Sequence, residues 1–198
     1  PDLWITFIMI IRESAVGMAM GFICFMFFSA LYVAGGIIDV QMGFGIVNVI
    51  DPQNNSPVPL VGNFYYILSL LLFLTVNGHH VLISALIKSY EVLPLKNVIF
   101  GERLLESIVA FFVQMFVLGL KIALPVVSMV LVVDIALGII ARTVPQINVF
   151  IVGLPLKIAA GMVGMIIVMP LYVVALDVLF NGIYHNLFTL LKGMLALP

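Results

Sequence analysis

The stretch 134–157, DIALGIIARTVPQINVFIVGLPLK, joins two apolar runs and concentrates polar side chains that the rest of the chain largely lacks. It carries Asp134, Arg142, Gln146, Asn148 and Lys157, together with Pro145 and Pro155. An unpaired charge at the centre of a membrane helix costs roughly 2.5–3.5 kcal/mol, so each charge needs a partner. We therefore predict a buried polar junction here rather than a span that faces lipid. Its residues are Asp134, Arg142, Gln146 and Lys157.

The spacing within this junction restricts which residues pair. On one unbroken helix, Asp134 and Arg142 would lie about 12 Å apart along the axis, which is too far for a direct ion pair. We therefore expect Asp134 to contact a basic or polar group outside its own helical turn. The candidates within the chain are Lys121, Arg142 and Lys157.

The composition of the chain indicates its class. Hydrophobic residues make up 64% of the sequence and charged residues only 9%. A typical soluble domain is about half apolar and a quarter charged, so a soluble chain of this length could not bury so many apolar side chains. We predict an all-α, membrane-associated protein with helices broken by proline and glycine. The net charge of −1 argues against a nucleic-acid partner.

The sequence shows no pattern for catalysis, cofactor binding or metal binding. Cys24 is the single cysteine, which excludes an intrachain disulfide. His79 and His80 are adjacent and project about 100° apart on a helix, so they do not form a metal-binding pair. We interpret the segment around them, from Asn77, as a helix bend satisfied by hydrogen bonds. Neither a phosphate-binding loop nor the common hydrolase motifs occur, so we predict no enzyme activity.

The first apolar block, residues 3–38, contains 25 consecutive residues without a charge, enough to span a bilayer. Gly17 and Gly21 form a G-x-x-x-G pair, which predicts helix packing at this face because small residues allow a second helix to approach closely. We expect the helix to loosen at Gly35 and Gly36, shortly before the first connection.

Two connections interrupt the apolar blocks. Residues 39–61 are rich in proline, glycine and asparagine, which predicts an irregular loop of a length that is often functional. Residues 88–106 hold three of the eight Lys and Arg residues, which indicates a cytoplasmic loop. After Leu120, prolines and charges leave few segments long and clean enough to span a membrane. We therefore expect other protein chains, rather than lipid, to cover part of the apolar surface.

Three ordered blocks carry a resemblance to a known family: QMGFGIVNVIDPQ at 41–53, GNFYYILSLLLFLTVNGHH at 62–80 and DIALGIIARTVPQINVFIVGLPLKI at 134–158. Over essentially its whole length the chain resembles the flagellar biosynthesis protein FliR family, membrane components of the flagellar type III protein export gate. The resemblance implies a structural subunit that forms part of the pore for unfolded flagellar subunits. It places the chain in the bacterial inner membrane, at the flagellar basal body, and leads us to expect further hydrophobic sequence before Pro1.

The resemblance also implies partners and a division of the chain. The partners would be FliP- and FliQ-like gate subunits in a hetero-oligomer, the export switch protein FlhB, unfolded flagellar proteins in transit and membrane lipid. The resemblance implies a fold of helical hairpins. Residues 1–103, with loop 39–61, would be an N-terminal, FliP-like helical-hairpin portion and residues 104–198 a C-terminal, FliQ-like helical-hairpin portion of one structural unit. Loops at the corresponding position in the family close the resting pore, which implies a pore plug here. Its residues are Asp51, Pro52, Gln53, Asn54, Asn55, Ser56, Pro57, Val58 and Pro59.

Two other classes of function stay open on the residues alone. The first is a polytopic transporter of small solutes or protons, in which Asp134, Arg142 and Lys157 form a relay at the membrane midplane. The second is an intramembrane enzyme, for which no motif is present. An inverted internal repeat would favour the transporter, and neighbouring genes for FliP- and FliQ-like proteins would favour the gate.

Overall fold

The computed structural model describes residues 3–45, 59–93, 101–146 and 148–194, and these ranges are all-α, as predicted. Within them, the helices in chain order are α1 (Leu3–Met42), α2 (Leu60–Thr75), α3 (Gly78–Val92), α4 (Glu102–Thr143) and α5 (Val149–Gly193). Three helical segments are long and apolar enough to cross a membrane, namely α1, α4 and the part of α5 up to Asp177. The bent pair α2 and α3 could supply a fourth span. The prediction of a membrane-associated helical protein is confirmed.

Proline does not break the two longest helices. Pro125 lies inside α4, and Pro155 and Pro170 lie inside α5. Among the described residues, one candidate span, Val149–Asp177, lies wholly after Leu120, while that of α4 begins at Glu102. The prediction of few long, clean segments after Leu120 is therefore not contradicted, although the predicted proline breaks do not occur in these two helices. A proline removes one backbone hydrogen bond and tends to kink a helix, but neighbouring structure in a long apolar segment can keep both sides helical.

A sharp bend separates α2 from α3. Their axes differ by 71°, and Asn77 adopts a left-handed backbone conformation with φ of 59°. A methyl group on Gly78 would lie 2.2 Å from the Phe73 ring, so the turn leaves no room for a side chain there. The predicted bend is confirmed, and the His80 N–H donates to the Asn77 carbonyl at 3.0 Å. The buried Nδ1 of His79 has no hydrogen-bond partner among the described residues. This atom therefore does not contribute to the hydrogen bonds that were predicted to satisfy the bend.

The described helices divide into two compact units. The first unit takes in the described parts of residues 1–29, 70–115 and 177–198. Its core consists of apolar side chains that are almost completely buried, including Ile23, Met26, Ala85, Leu187, Leu190 and Leu191. The same unit contains an aromatic cluster of Phe28, Phe73 and Phe180, whose ring centroids lie 5.2 to 6.5 Å apart.

The second unit takes in the described parts of residues 30–69 and 116–176. The rings of Tyr65 and Tyr172 stack with centroids 4.5 Å apart, and the Tyr172 hydroxyl donates to the Tyr65 carbonyl at 2.8 Å. A methyl group on Gly119 would lie 2.9 Å from the Ala30 carbonyl oxygen, so α1 and α4 are in close backbone contact here. Residues on both sides of the predicted boundary between 103 and 104 contribute to each unit, and that division stays a prediction.

Helix α1 extends further than predicted. It continues through Gly35 and Gly36 to Met42, so the expected loosening does not occur. Residues 39–42 thus belong to α1 and residues 60 and 61 to α2, so the predicted loop 39–61 is too long at both ends. Glycine disfavours a helix interior by about 1 kcal/mol relative to alanine. At Gly35 the missing side chain allows α2 to pack directly on α1, which offsets that cost.

Candidate functional site

The last turn of α1 presents a carboxylate to the start of α2. Asp39 is only 5% exposed, and both of its carboxylate oxygens accept the Val61 N–H at 3.1 Å. Val61 lies in the first turn of α2, where backbone N–H groups lack partners within the helix and carry the positive end of its dipole. Pro59 precedes this helix and offers no side-chain acceptor, so it cannot cap the helix in the usual way. Asp39 therefore caps α2 from a different helix.

Two glycines bring α1 and α2 close enough for this cap. A methyl group on Gly35 would lie 2.1 Å from the Gly62 Cα atom and 2.2 Å from the Gly62 nitrogen. A methyl group on Gly62 would lie 2.9 Å from the Tyr32 carbonyl oxygen. The two backbones are therefore in direct contact. Because Gly35 and Asp39 are four residues apart, they share one face of α1 and meet the start of α2 together.

A second polar contact from the same turn reaches α4 and α5. The Gln41 Nε2 donates to Asp134 Oδ2 at 3.1 Å, and Asp134 Oδ1 forms an ion pair with the Lys157 Nζ. The Lys157 and Asp134 side chains are 27% and 33% exposed, so the ion pair is partly buried. The prediction that Asp134 contacts a group outside its own turn is confirmed. Its partner is Lys157, rather than Arg142 or Lys121.

This ion pair lines a cavity of about 400 Å³ within the second unit. The rest of the lining is small or apolar and includes Gly43, Gly138 and Gly153. Because the two charges neutralise each other, this wall presents no net charge to an ion. Among the residues that the structure describes, no group of three or more His, Cys, Asp or Glu side chains could hold a metal ion. The contacts of Gln41, Asp134 and Lys157 link α1, α4 and α5.

Two residues of the predicted junction lie outside this network. Arg142 and Gln146 are both exposed in the single chain, and their place in a buried junction stays a prediction. Arg142 belongs to the last turn of α4, where the negative end of the helix dipole favours a positive charge. A position at a helix end thus stabilises this charge without burying it.

Most of the predicted plug falls outside the part of the chain that the structure describes. This holds for residues 51–58. Pro59 is described, partly buried, directly before α2, and its side chain would lie 3.8 Å from a methyl group on Gly36. The described ends of the connection are thus the last turn of α1 and the first turn of α2, which the Asp39 cap joins.

The predicted helix packing at Gly17 and Gly21 has no counterpart within the described chain. Both residues are exposed, and a methyl group on either one would meet nothing within 4 Å. The close approach between α1 and α2 uses Gly35 and Gly62 instead. The G-x-x-x-G face of α1 remains accessible in the single chain.

Sequence reasoning missed Asp39, Gln41 and Gly62. A signal existed for Asp39, because it is a single carboxylate in a long apolar segment, one turn after two adjacent glycines. A carboxylate in that setting requires hydrogen-bond donors nearby. The signals for Gln41 and Gly62 were weaker, since neither residue is unusual in sequence by itself.

Comparison with known proteins gives one family and a consistent set of relatives. The family model described as bacterial export proteins, family 1, matches residues 1–183. The flagellar biosynthetic protein FliR of Bacillus subtilis (strain 168) is 42% identical over 173 residues, which cover 86% of this chain and 67% of that protein. The protein of the same name from Escherichia coli (strain K12) is 33% identical over 177 residues, covering 89% of this chain and 68% of its own length. That from Aquifex aeolicus (strain VF5) is 29% identical over 174 residues, covering 88% and 67%.

Proposed function

This chain belongs to the bacterial export proteins, family 1, and from that premise we propose that it is a structural subunit of the flagellar type III protein export gate. It forms part of the pore through which unfolded flagellar subunits cross the inner membrane at the basal body. Its role is structural rather than catalytic. Support comes from its relatives, which are named flagellar biosynthetic proteins, and from three helices able to cross a membrane.

The observation that carries this proposal is the length of the exposed apolar face on α4. Exposed apolar side chains follow this helix from Leu105 to Ile140, a distance of about 52 Å at 1.5 Å per residue. The hydrocarbon core of a bilayer is only about 30 Å thick. Confining this face to the bilayer would require a tilt of about 55°, beyond the range of about 0–40° seen for membrane helices. The length of this face supports the proposal that protein partners cover part of it.

The partners that this proposal assigns are FliP- and FliQ-like gate subunits and the export switch protein FlhB. Large exposed apolar side chains that lie outside the bilayer cause aggregation unless a partner covers them. We therefore expect the chain expressed alone to be unstable in detergent, and co-expression with FliP- and FliQ-like subunits to yield one monodisperse complex. Size-exclusion chromatography with a thermal ramp measures this. A monodisperse monomer with a cooperative thermal transition, purified alone, contradicts the proposal.

The finer part of the proposal concerns the connection between α1 and α2. Residues 51–59, DPQNNSPVP, would close the pore in the resting gate. Their three prolines reduce the conformational entropy that is lost on ordering. The two asparagines and the serine can exchange partner hydrogen bonds for water at a net difference of only about 0.5–1.5 kcal/mol per bond. Such a segment can seat firmly and still be displaced by a substrate.

Deleting residues 53–57 is expected to leave assembly intact and to make the membrane permeable to ions or small solutes. The measurement is dye or ion uptake in cells that produce the complex, normalised to complex abundance. A variant with these five residues replaced by a glycine-serine segment of equal length separates the effect of length from that of composition. If the deleted chain assembles normally and uptake does not rise, the segment is only a connector.

The transporter alternative gains no support from the geometry. A relay needs its charged groups to face one pathway, and only Asp134 and Lys157 line the cavity, where they neutralise each other. Arg142 is exposed at the end of α4 and is not part of the cavity lining. The gate therefore remains the function that we propose.

A further inference from the structure

We propose that Asp39 is a positioning residue that fixes the end of α1 relative to the start of α2, and so sets the base of the connection between them. The significance of this base for export rests on the proposed function. The cap itself is a property of the described residues and can be tested without it.

The surroundings of Asp39 require a hydrogen-bond acceptor at this position. The side chain is 5% exposed, and an ionised carboxylate is costly to bury without donors. The donor that both oxygens share is the Val61 N–H, at the positive end of α2. Local sequence cannot supply this cap, because Pro59 stands before the helix. The carboxylate therefore acts through the backbone of α2.

The covalent chain does not fix this spacing by itself. The connection from Gly43 to Pro59 contains 17 residues, and an extended chain of that length reaches about 56–61 Å. A link from Asp39 to Val61, two residues beyond the end of the connection, closes that segment at its base. The Gly35–Gly62 contact brings the helices together, and the cap selects the position of α2 along α1.

The same turn of α1 offers an internal comparison. Gln41 is two residues from Asp39 but donates to Asp134 on α4 instead of contacting α2. Removing the Gln41 amide should weaken the link to α4 and leave the spacing between α1 and α2 unchanged. Gln41→Ala is therefore the matched control for Asp39→Ala.

The first experiment measures the spacing directly. Nitroxide labels are placed at Val40 and Leu60, which are 75% and 65% exposed, in a full chain carrying Cys24→Ser and assembled with its partners. Electron paramagnetic resonance should give one narrow distance distribution for the parent chain, for Gln41→Ala and for Asp39→Asn, which keeps an acceptor oxygen. Asp39→Ala should broaden and lengthen the distribution. An unchanged distribution in Asp39→Ala, or an equal change in Asp39→Asn, overturns the proposal.

If Asp39→Ala does not assemble, Asp39→Ser provides a second test of the cap. Asp39→Ser keeps a polar group but is too short to reach Val61, so it should also broaden the distribution. If Asp39→Ser keeps the parent distribution, the proposal fails.

The second experiment connects the cap to export by combining it with deletion of residues 53–57. Asp39→Ala should raise solute uptake about tenfold at equal complex abundance, in line with loss of a charge-assisted hydrogen bond. In the deleted chain it should add no further leak, because both changes act through one connection. If the deletion alone does not leak, the proposed plug fails and the label distances still decide the role of Asp39. If the deletion leaks and Asp39→Ala changes neither uptake nor spacing, the role of Asp39 fails and the plug stands.

Discussion

Replacing Gly35 with alanine is expected to prevent α1 and α2 from packing and to reduce the amount of assembled complex severely. The added methyl group would lie 2.1 Å from the Gly62 Cα atom, 2.2 Å from its nitrogen and 2.6 Å from the Val61 carbonyl carbon. All three atoms belong to backbone, so no side chain can rotate away. Overpacking typically costs about 1–3 kcal/mol, and a contact between two backbones belongs at or above the top of that range. The Asp39 cap should be lost with it.

Gly36→Ala is the matched control, because it makes the same chemical change one residue later. A methyl group there would meet only the Pro59 side chain, at an ordinary contact distance of 3.8 Å. Alanine is favoured over glycine within a helix by roughly 0.5–1 kcal/mol, so this variant should be as stable as the parent or slightly more stable. Complex yield and the midpoint of thermal unfolding in detergent provide the measurement. Equal midpoints for the two variants would contradict the close backbone contact.

Replacing Asp134 with leucine is the second change with a large expected effect. It leaves the Lys157 ammonium without its carboxylate and removes the acceptor of Gln41. Breaking a fully buried ion pair costs about 3–5 kcal/mol. The side chains here are 27% and 33% exposed, so solvent screening reduces the expected loss to about 1–3 kcal/mol, the cost of leaving one hydrogen-bonding group unsatisfied.

The double variant Asp134→Leu with Lys157→Leu should recover part of this loss. Replacing both members of an ion pair by apolar residues is often neutral or stabilising, because no charge is left without a partner. Arg142→Leu is the control on the same helix, and we expect it to change the unfolding free energy by at most about 1 kcal/mol, the dipole contribution at a helix end. Thermal unfolding of the parent, Asp134→Leu, Lys157→Leu and the double variant in the assembled complex forms the cycle. Strictly additive losses would show that Asp134 and Lys157 act independently.

The class of the fold and several of its local features follow from the sequence. The apolar fraction and the scarcity of charge predict membrane helices, because no soluble core could bury so many apolar side chains. The Asn77-Gly78 pair predicts the bend between α2 and α3, since both residues tolerate backbone conformations that end a helix. The requirement that Asp134 have a partner outside its own helical turn also follows from sequence, because a charge in a long apolar segment is costly without one.

The choice of Lys157 over Lys121 and Arg142 required the tertiary structure. All three are cations on long apolar segments, and only the packing of α4 on α5 decides which one reaches the carboxylate. The effect of the prolines also could not be predicted from the local sequence. Their local penalty of about 3 kcal/mol predicts broken helices, whereas the long apolar segments around Pro125, Pro155 and Pro170 stay helical.

The glycines of α1 show most clearly what the sequence determines and what the tertiary structure decides. The sequence determines that α1 has faces without side chains, at Gly17 and Gly21 and again at Gly35 and Gly36. Only the tertiary structure decides that α2 packs against Gly35, while nothing in the described chain approaches Gly17 or Gly21. The physical reason is that a missing side chain permits close approach but does not attract a partner. Attraction and register come from groups distant in sequence, here the Asp39 carboxylate and the start of α2.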